Sequence, residues 1–199
     1  MANVLFISDS YLKQNSFVGE NVQANVLTSA ITTAQTIKIQ SILGKALYDK
    51  LCNDIANAGG SLTGVTGNYA ILLEEYVIPA LTNWALYESI VPLTLKFTNK
   101  GISRAQDQYT EGIDLETMKY IRNDVRNEAE WYTQRLTTYL CNNTGLFPEY
   151  SDYSANDLYP STKAGGYESG IYFKRRRSVN NNFYPEKDDY TNFTYDGGR

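Results

Sequence analysis

The sequence predicts a mainly α-helical protein: a helical bundle with an inserted β-hairpin and a long extended C-terminal arm. Three observations predict this class. Apolar residues recur every three or four positions through most of the first 145 residues, which is the period of an amphipathic helix. One short stretch near residue 95 alternates with a period of two, as half-buried strands do. Neither period continues beyond residue 145, where Tyr, Asn, Ser, Asp and Gly dominate.

Two helices that meet at a glycine open the predicted bundle. The first, over about 22–42, is predicted from an apolar stripe at helical spacing, made of Leu27, Ala30, Ile31, Ala34 and Ile37. The second, over about 45–58, has a stripe at four-residue intervals, made of Leu47, Leu51 and Ile55. Gly44 lies between them and is the predicted stop and turn, because glycine adopts backbone conformations that other residues resist.

A third helical region is predicted after the glycine-rich loop at 59–67, and Pro79 interrupts it. Proline removes a backbone donor and crowds the preceding turn, so we predict a kink or break there. Glu74 and Glu75 come just before the proline. We interpret them as solvated, because adjacent helix positions point to different sides. A hydrolase that pairs Glu74 with Asp107 or Glu111 is the catalytic alternative, but no spacing supports it.

A β-hairpin is predicted at about 93–104. Leu93, Leu95 and Phe97 alternate there with polar residues, and Asn99-Lys100-Gly101 has the composition of a turn.

The fourth helix is the clearest element of the sequence. Asp114 is a suitable N-cap, and Glu116 places a negative charge in the first turn, where the helix dipole favours it. The helix should span about 27 residues and end near Cys141. Its apolar stripe consists of Met118, Ile121, Val125, Ala129, Tyr132, Leu136 and Tyr139.

The pattern divides the chain into a helical domain, residues 1–145, and an extended Tyr-rich arm, residues 146–199. The chain has 17 tyrosines, and eight of them lie at position 150 or beyond. Disordered tails are normally poor in aromatic residues, so we expect the arm to lie on the surface of a partner molecule. The predicted partner-binding residues are Tyr167, Tyr172, Phe173, Lys174, Arg175, Arg176, Arg177 and Tyr184.

Lys174–Arg177 is the one basic run in the sequence. It could contact phosphates of nearby DNA, or dock on an acidic patch of a protein partner, such as another copy of this acidic chain. We favour the protein partner, because four charges in a net acidic chain make a weak nucleic-acid footprint.

Composition limits the function classes. The net charge is −4, and the chain has no histidine, the commonest general base and metal ligand. Its two cysteines, Cys52 and Cys141, have no CxxC spacing, so we expect reduced, buried thiols. No apolar run reaches the roughly 20 residues of a membrane span. We predict no catalytic, cofactor or metal site, and expect a protein assembled inside a cell without a membrane partner.

Several phrases of the sequence, in this order, resemble the head-to-tail connector (adaptor) proteins of tailed bacteriophages, in particular the version found in crAss-like phages of Bacteroidetes. The phrases are AITTAQTIKIQSILGKALYDKL, EEYVIPALTNWALYESIVPL, FTNKGISR and RLTTYLCNNTGLFPEY. The likeness covers roughly residues 8–150 and includes no catalytic signature.

The resemblance implies a helical protomer that forms a homo-oligomeric ring of twelve copies at the head–tail junction of the virion, assembled in the host cytoplasm. It implies contacts with the portal protein and with neighbouring tail ring proteins. DNA would pass through the central channel without specific binding, and no enzyme activity or cofactor is implied. The arm after residue 150 departs from what the resemblance covers. A carbohydrate-binding or other tail-associated interaction module is the alternative, because exposed tyrosines stack on sugars; that reading predicts a core of alternating strands.

Overall fold

A computed structural model of the protein describes residues 4–98, 101–104, 114–152 and 158–160. The described residues are mainly helical, as predicted, and all of them belong to one compact unit, residues 1–165. A second unit, residues 166–199, lies outside the described residues. Among the described helices, none combines the length and apolar character that a membrane crossing requires.

The helices are α1 (Asp9–Gln14), α2 (Ala24–Ala34), α3 (Gln40–Asn57), α4 (Asn68–Ile71), α5 (Ile78–Thr94) and α6 (Leu115–Asn142). Two π-helical segments, Gln35–Ile39 and Leu72–Val77, join α2 to α3 and α4 to α5. Short 3-10 turns lie at Leu62–Gly64 and Pro148–Ser151. Helix α5 is central, because it packs against α2 on one side and α6 on the other.

Helix α1 begins at a capping signal in the sequence. Ser8 is its N-cap, and the Ser8 hydroxyl accepts a hydrogen bond from the Tyr11 backbone N–H at 3.0 Å. The residues before the cap have no helical period, yet Phe6 and Ile7 are buried in the core. The N-terminal segment is therefore part of the packed domain.

The π-helical segment Gln35–Ile39 changes which residues of this helix face the core. Ile37, predicted to continue the stripe of α2, is 58% exposed, and that part of the prediction is wrong. Ile39 is buried instead. A π-turn holds more residues than an α-turn, so the sequence positions that face the core shift by one residue. The side chain of Gln35, also buried, satisfies the backbone around it: its Oε1 accepts from the Phe6 N–H at 2.9 Å, and its Nε2 donates to the Val4 carbonyl at 2.7 Å.

Gly44 makes the sharp turn that the sequence predicts. Its φ is +74° and its ψ 163°, a combination that L-residues rarely adopt. A Cβ added there would lie 2.6 Å from Pro160 Cδ, so the turn also lacks room for a side chain. The Lys45 N–H donates to the Leu158 carbonyl at 2.8 Å. Residues 158–160 therefore rest against the turn between the two helical stretches.

Pro79 lies at the second position of α5, directly after the second π-helical segment. Where the sequence predicts a kink or break, the structure has a change of helix type, and the backbone of Val77 and Ile78 stays helical. Proline has no N–H to donate to the carbonyl four residues earlier, that of Glu75. The Glu75 carbonyl accepts a bond from Arg135 Nη1 of α6 at 3.4 Å instead. The side chains of Glu74 and Glu75 are exposed, which confirms that they are solvated.

Two short strands, β1 (Leu95–Thr98) and β2 (Gly101–Arg104), follow α5. They pair antiparallel, with Phe97 opposite Ile102. Helix α5 runs through Thr94, so the first strand begins two residues later than the alternation of the sequence suggests.

Helix α6 has 28 residues and is capped by the Asp114 side chain, which accepts from the Glu116 N–H at 3.3 Å. The predicted cap, length and end of this helix are confirmed. Beyond it, Phe147 and Tyr150 are buried in the core. The described start of the predicted arm is therefore packed on the helical domain.

A tyrosine hydrogen bond ties this segment to α4. The Tyr69 hydroxyl donates to Glu149 Oε2 at 2.8 Å, and Lys50 Nζ lies 5.4 Å from the centre of the Tyr69 ring. Burial raises the pKa of Tyr69 to about 12, helped by the hydrogen bond to Glu149 and by the charges of Glu149 and Asp54.

Both cysteines are free. Cys52 is half-buried, whereas Cys141 is exposed on α6, so the predicted burial of Cys141 is wrong. Cys141 lies outside the apolar stripe of its helix, and a position off the stripe faces solvent.

Candidate interaction surface

Helix α6 separates a buried face from an exposed one. Val125, Ala129, Leu136 and Leu140 are buried against the rest of the domain. On the opposite side Tyr120 is 74% exposed and Trp131 is 58% exposed. Large aromatic side chains this exposed are typical of protein interfaces.

The two exposed rings lie on one side of the helix. Eleven residues separate them, which is close to three full turns, so they project in nearly the same direction about 16 Å apart. Exposed polar residues fill the space between the rings. We call the set made of Tyr120, Asp124, Asn127, Glu128 and Trp131 the outer face of α6.

Two arginines of α6 are engaged away from the outer face, whereas the third, Arg135, lies one turn beyond Trp131 and lines the same groove as that ring. Arg122 stacks on the Tyr87 ring, with its guanidinium carbon 4.3 Å from the ring centre. Arg126 Nε donates to Glu130 Oε1 at 2.7 Å, which confirms the predicted i,i+4 pair, and this hydrogen bond raises the pKa of Arg126. Arg135 stacks on the Tyr76 ring at 4.7 Å.

Two exposed carboxylates, one turn apart, belong to the outer face. Asp124 and Glu128 form no ion pair with another described residue. Within the part of the chain that the structure describes, the outer face thus combines two carboxylates that lack an ion pair with two flat aromatic surfaces. That chemistry suits a cationic ligand, above all a guanidinium group, which both stacks on rings and pairs with carboxylates.

A groove of about 430 Å³ continues from Trp131 towards the C-terminal end of α6. The rings of Tyr76 and Tyr139 stack within it, with centres 4.0 Å apart and planes 14° from parallel. Burial raises the pKa of Tyr139, and the neighbouring Tyr76 and Glu75 add to the shift. The Arg135 side chain and several amide and hydroxyl side chains complete the lining: Gln134, Thr138, Asn142 and Asn143.

The residues predicted to bind partners lie outside the described residues: Tyr167, Tyr172, Phe173, Lys174, Arg175, Arg176, Arg177 and Tyr184. The same holds for Asp107 and Glu111 of the catalytic alternative. Within the described residues, no cluster of three or more acidic or cysteine side chains could hold a metal ion.

The sequence reasoning overlooked Tyr120 and Trp131. Both lie between the apolar positions of α6, where a helix on the surface of a domain normally carries polar residues. The sequence did hold one signal for them, namely an aromatic residue at a polar position of an amphipathic helix.

Comparison with known proteins gives one match. A family model described as "Family of unknown function (DUF6712)" matches residues 39–158. The match begins at the end of the first π-helical segment and ends where the chain rests on Gly44. No curated protein and no solved structure matches the chain.

Proposed function

The chain belongs to the DUF6712 family, whose function is unknown, and we propose that it is a structural protein of the virion. In this proposal it is a head-to-tail connector that forms an oligomeric ring between the portal and the tail, around the DNA channel. The observation that carries the proposal is the run of sequence phrases that resemble phage connectors. The outer face of α6 supports it, because rings this exposed are suited to packing against a neighbouring copy.

The parts of the chain fit this role. In this proposal the helical domain forms the protomer, and the Tyr-rich arm reaches a neighbour. A closed ring repeats the same weak contact around its circumference, so modest pairwise affinity gives a stable assembly. The role needs no catalytic chemistry and no cofactor.

Charge is consistent with a channel for DNA. Residues 1–160 carry 11 Lys and Arg against 17 Asp and Glu, a net charge of −6. An acidic wall repels phosphates and lets DNA slide without sticking. The proposed partners are therefore proteins: other copies of the chain in a ring of twelve, the portal protein and the neighbouring tail ring proteins. Assembly takes place in the host cytoplasm, and the ring stays at the head–tail junction.

Mixing the purified protein with the portal protein of the same virus tests the proposal. We expect a stable complex with several copies of this chain per portal ring, seen as a mass increase by native mass spectrometry and as a ring by electron microscopy. Deleting residues 170–199 should weaken this assembly while circular dichroism keeps its helical signal. A chain that remains monomeric both alone and with portal would contradict the connector role.

A carbohydrate-binding module is the second candidate, and Trp131 favours it. This exposed ring borders a groove lined by Gln134 and Asn142, and flat rings beside amides are suited to sugars. The helical core argues against this class, for which we predicted alternating strands. Titration with oligosaccharides separates the two candidates: quenching of Trp131 fluorescence by a sugar, absent in Trp131→Ala, would favour the module.

A further inference from the structure

We propose that the outer face of α6 binds the basic segment Lys174–Arg177 of a second copy of this chain. The inference rests on the proposed function, because it names the contact that joins neighbouring copies in the ring.

The outer face offers two kinds of contact to a basic peptide. Asp124 and Glu128 lie one turn apart and lack an ion-pair partner among the described residues. Tyr120 and Trp131 flank them with exposed rings. Arginine uses both kinds of contact, because its planar guanidinium stacks on a ring while its N–H groups pair with a carboxylate.

The basic segment has the complementary chemistry. Residues 171–177 read IYFKRRR, so two aromatic side chains directly precede four cations. Residues 161–199 carry 7 Lys and Arg against 5 Asp and Glu, a net charge of +2, whereas residues 1–160 carry −6. Opposite charges on the two parts of each chain favour an arm-to-body contact and disfavour contacts between two bodies or two arms.

The chain beyond Pro160 has a long reach. Pro160 is fixed against Gly44, and the Lys45 N–H bonds the Leu158 carbonyl at 2.8 Å. Fourteen residues lead from Pro160 to Lys174 and can span up to about 50 Å when extended. Helix α6, with 28 residues, is about 42 Å long. The reach of the arm therefore exceeds the length of the helix on which it would dock.

Charge reversal in the full chain tests the contact. One variant reverses the outer face (D124K/E128K) and another reverses the segment (R175E/R176E/R177E). A third, E20K/E74K, is the matched control, because it reverses two exposed acids elsewhere and gives the same net charge as the first. All substituted positions on the helical domain are exposed, and circular dichroism verifies folding. Self-association is measured by sedimentation at several protein concentrations.

We expect each reversal alone to weaken self-association at least about ten-fold and the control to leave it unchanged. An equimolar mixture of the two reversed variants should restore association, because each segment then meets an oppositely charged face on the other copy. If the segment instead docked on its own chain, the mixture would gain nothing, and the inference would be overturned.

Two further outcomes would overturn it. Weaker association with the reversed segment but normal association with the reversed face would show that the segment binds a different surface of the second copy. A wild-type chain that stays monomeric at high concentration would also refute the contact between copies. The connector role would survive either result if the chain still assembled with portal, so the two proposals fail separately.

Discussion

The two tryptophans of the chain lie in contrasting environments. Trp84, on the central helix α5, is 5% exposed; its indole N–H donates to Thr133 Oγ1 at 2.8 Å, and Lys38 Nζ lies 4.4 Å from its ring centre. Trp131, on α6, is 58% exposed, and its ring lies nearly perpendicular to that of Tyr132, with the ring centres 4.9 Å apart. Its indole N–H makes no hydrogen bond to another described residue.

The two environments distinguish residues that stabilise the fold from residues that remain available to partners. Every polar group of Trp84 is satisfied inside the domain, so its burial contributes to the free energy of unfolding. Most of Trp131 contributes little to it, because the ring stays in water whether the chain is folded or unfolded. An aromatic residue with so little structural use is a candidate for binding.

Trp84→Ala should cause the largest loss of stability. It removes a buried ring, leaves a cavity and deprives Thr133 of its hydrogen-bond donor, so the free energy of unfolding should fall by about 3–5 kcal/mol. Urea unfolding followed by circular dichroism measures the loss. A loss below about 1 kcal/mol would mean that α5 is not the packed centre of the domain.

Gly44→Ala should cause the next largest loss of stability, lowering the free energy of unfolding by about 2–3 kcal/mol. The new methyl group would contact Pro160 and force a left-handed φ on alanine. The same urea experiment applies, and Gly19→Ala is the control, since nothing lies within 4 Å of a Cβ at Gly19 and its φ is not positive. Equal losses in the free energy of unfolding for Gly44→Ala and Gly19→Ala would contradict the tight turn at Gly44.

Tyr69 should make a smaller contribution to stability, and this contribution should depend on pH. Its pKa of about 12 in the folded chain exceeds the value of about 10 expected in the unfolded chain. The folded state therefore holds the phenol proton more tightly, and this stabilisation is complete below pH 10 and is lost as the pH rises towards 12. Unfolding midpoints from pH 9 to 12 should decline, and less steeply in Tyr69→Phe. If the unfolding midpoint of Tyr69→Phe fell as steeply with pH as that of the wild type, Tyr69 would be excluded as a source of the decline.

Trp131→Ala should cause the smallest loss of stability, within about 0.5 kcal/mol. Its effect on assembly should be larger, because an exposed tryptophan at the centre of an interface often dominates binding. Unfolding at low protein concentration and complex formation with portal measure the two effects. If Trp131→Ala instead caused a large loss of stability and still assembled normally, Trp131 would serve the fold rather than a partner.

Local rules predicted much of the fold. Gly44, Pro79 and Asp114 each acted through backbone chemistry that depends little on distant residues, and each marks an observed turn, change of helix type or helix start. The exposure of Ile37 could not be predicted by counting positions, because a π-turn shifts the phase of the helix. Phe6 is buried and its backbone N–H bonds the side chain of the distant Gln35, a tertiary contact that leaves no pattern in the local sequence.

The interaction surface was predictable only in part. The composition of the last quarter of the chain drew attention to an arm with basic and aromatic residues. The complementary surface on α6 could be identified only from the structure. The sequence does not reveal that the side chains of Arg122 and Arg135 stack on the rings of Tyr87 and Tyr76.

The wide turn at Gln35–Ile39 has an evolutionary consequence. A π-helical segment holds one residue more than the regular helix needs, so it absorbs an insertion without displacing the side chains on either flank. Ile37, which points outward at this turn, could be lost from a homologue while Ala34 and Ile39 stayed in register. Chain length can therefore vary here among relatives whose cores remain superimposable.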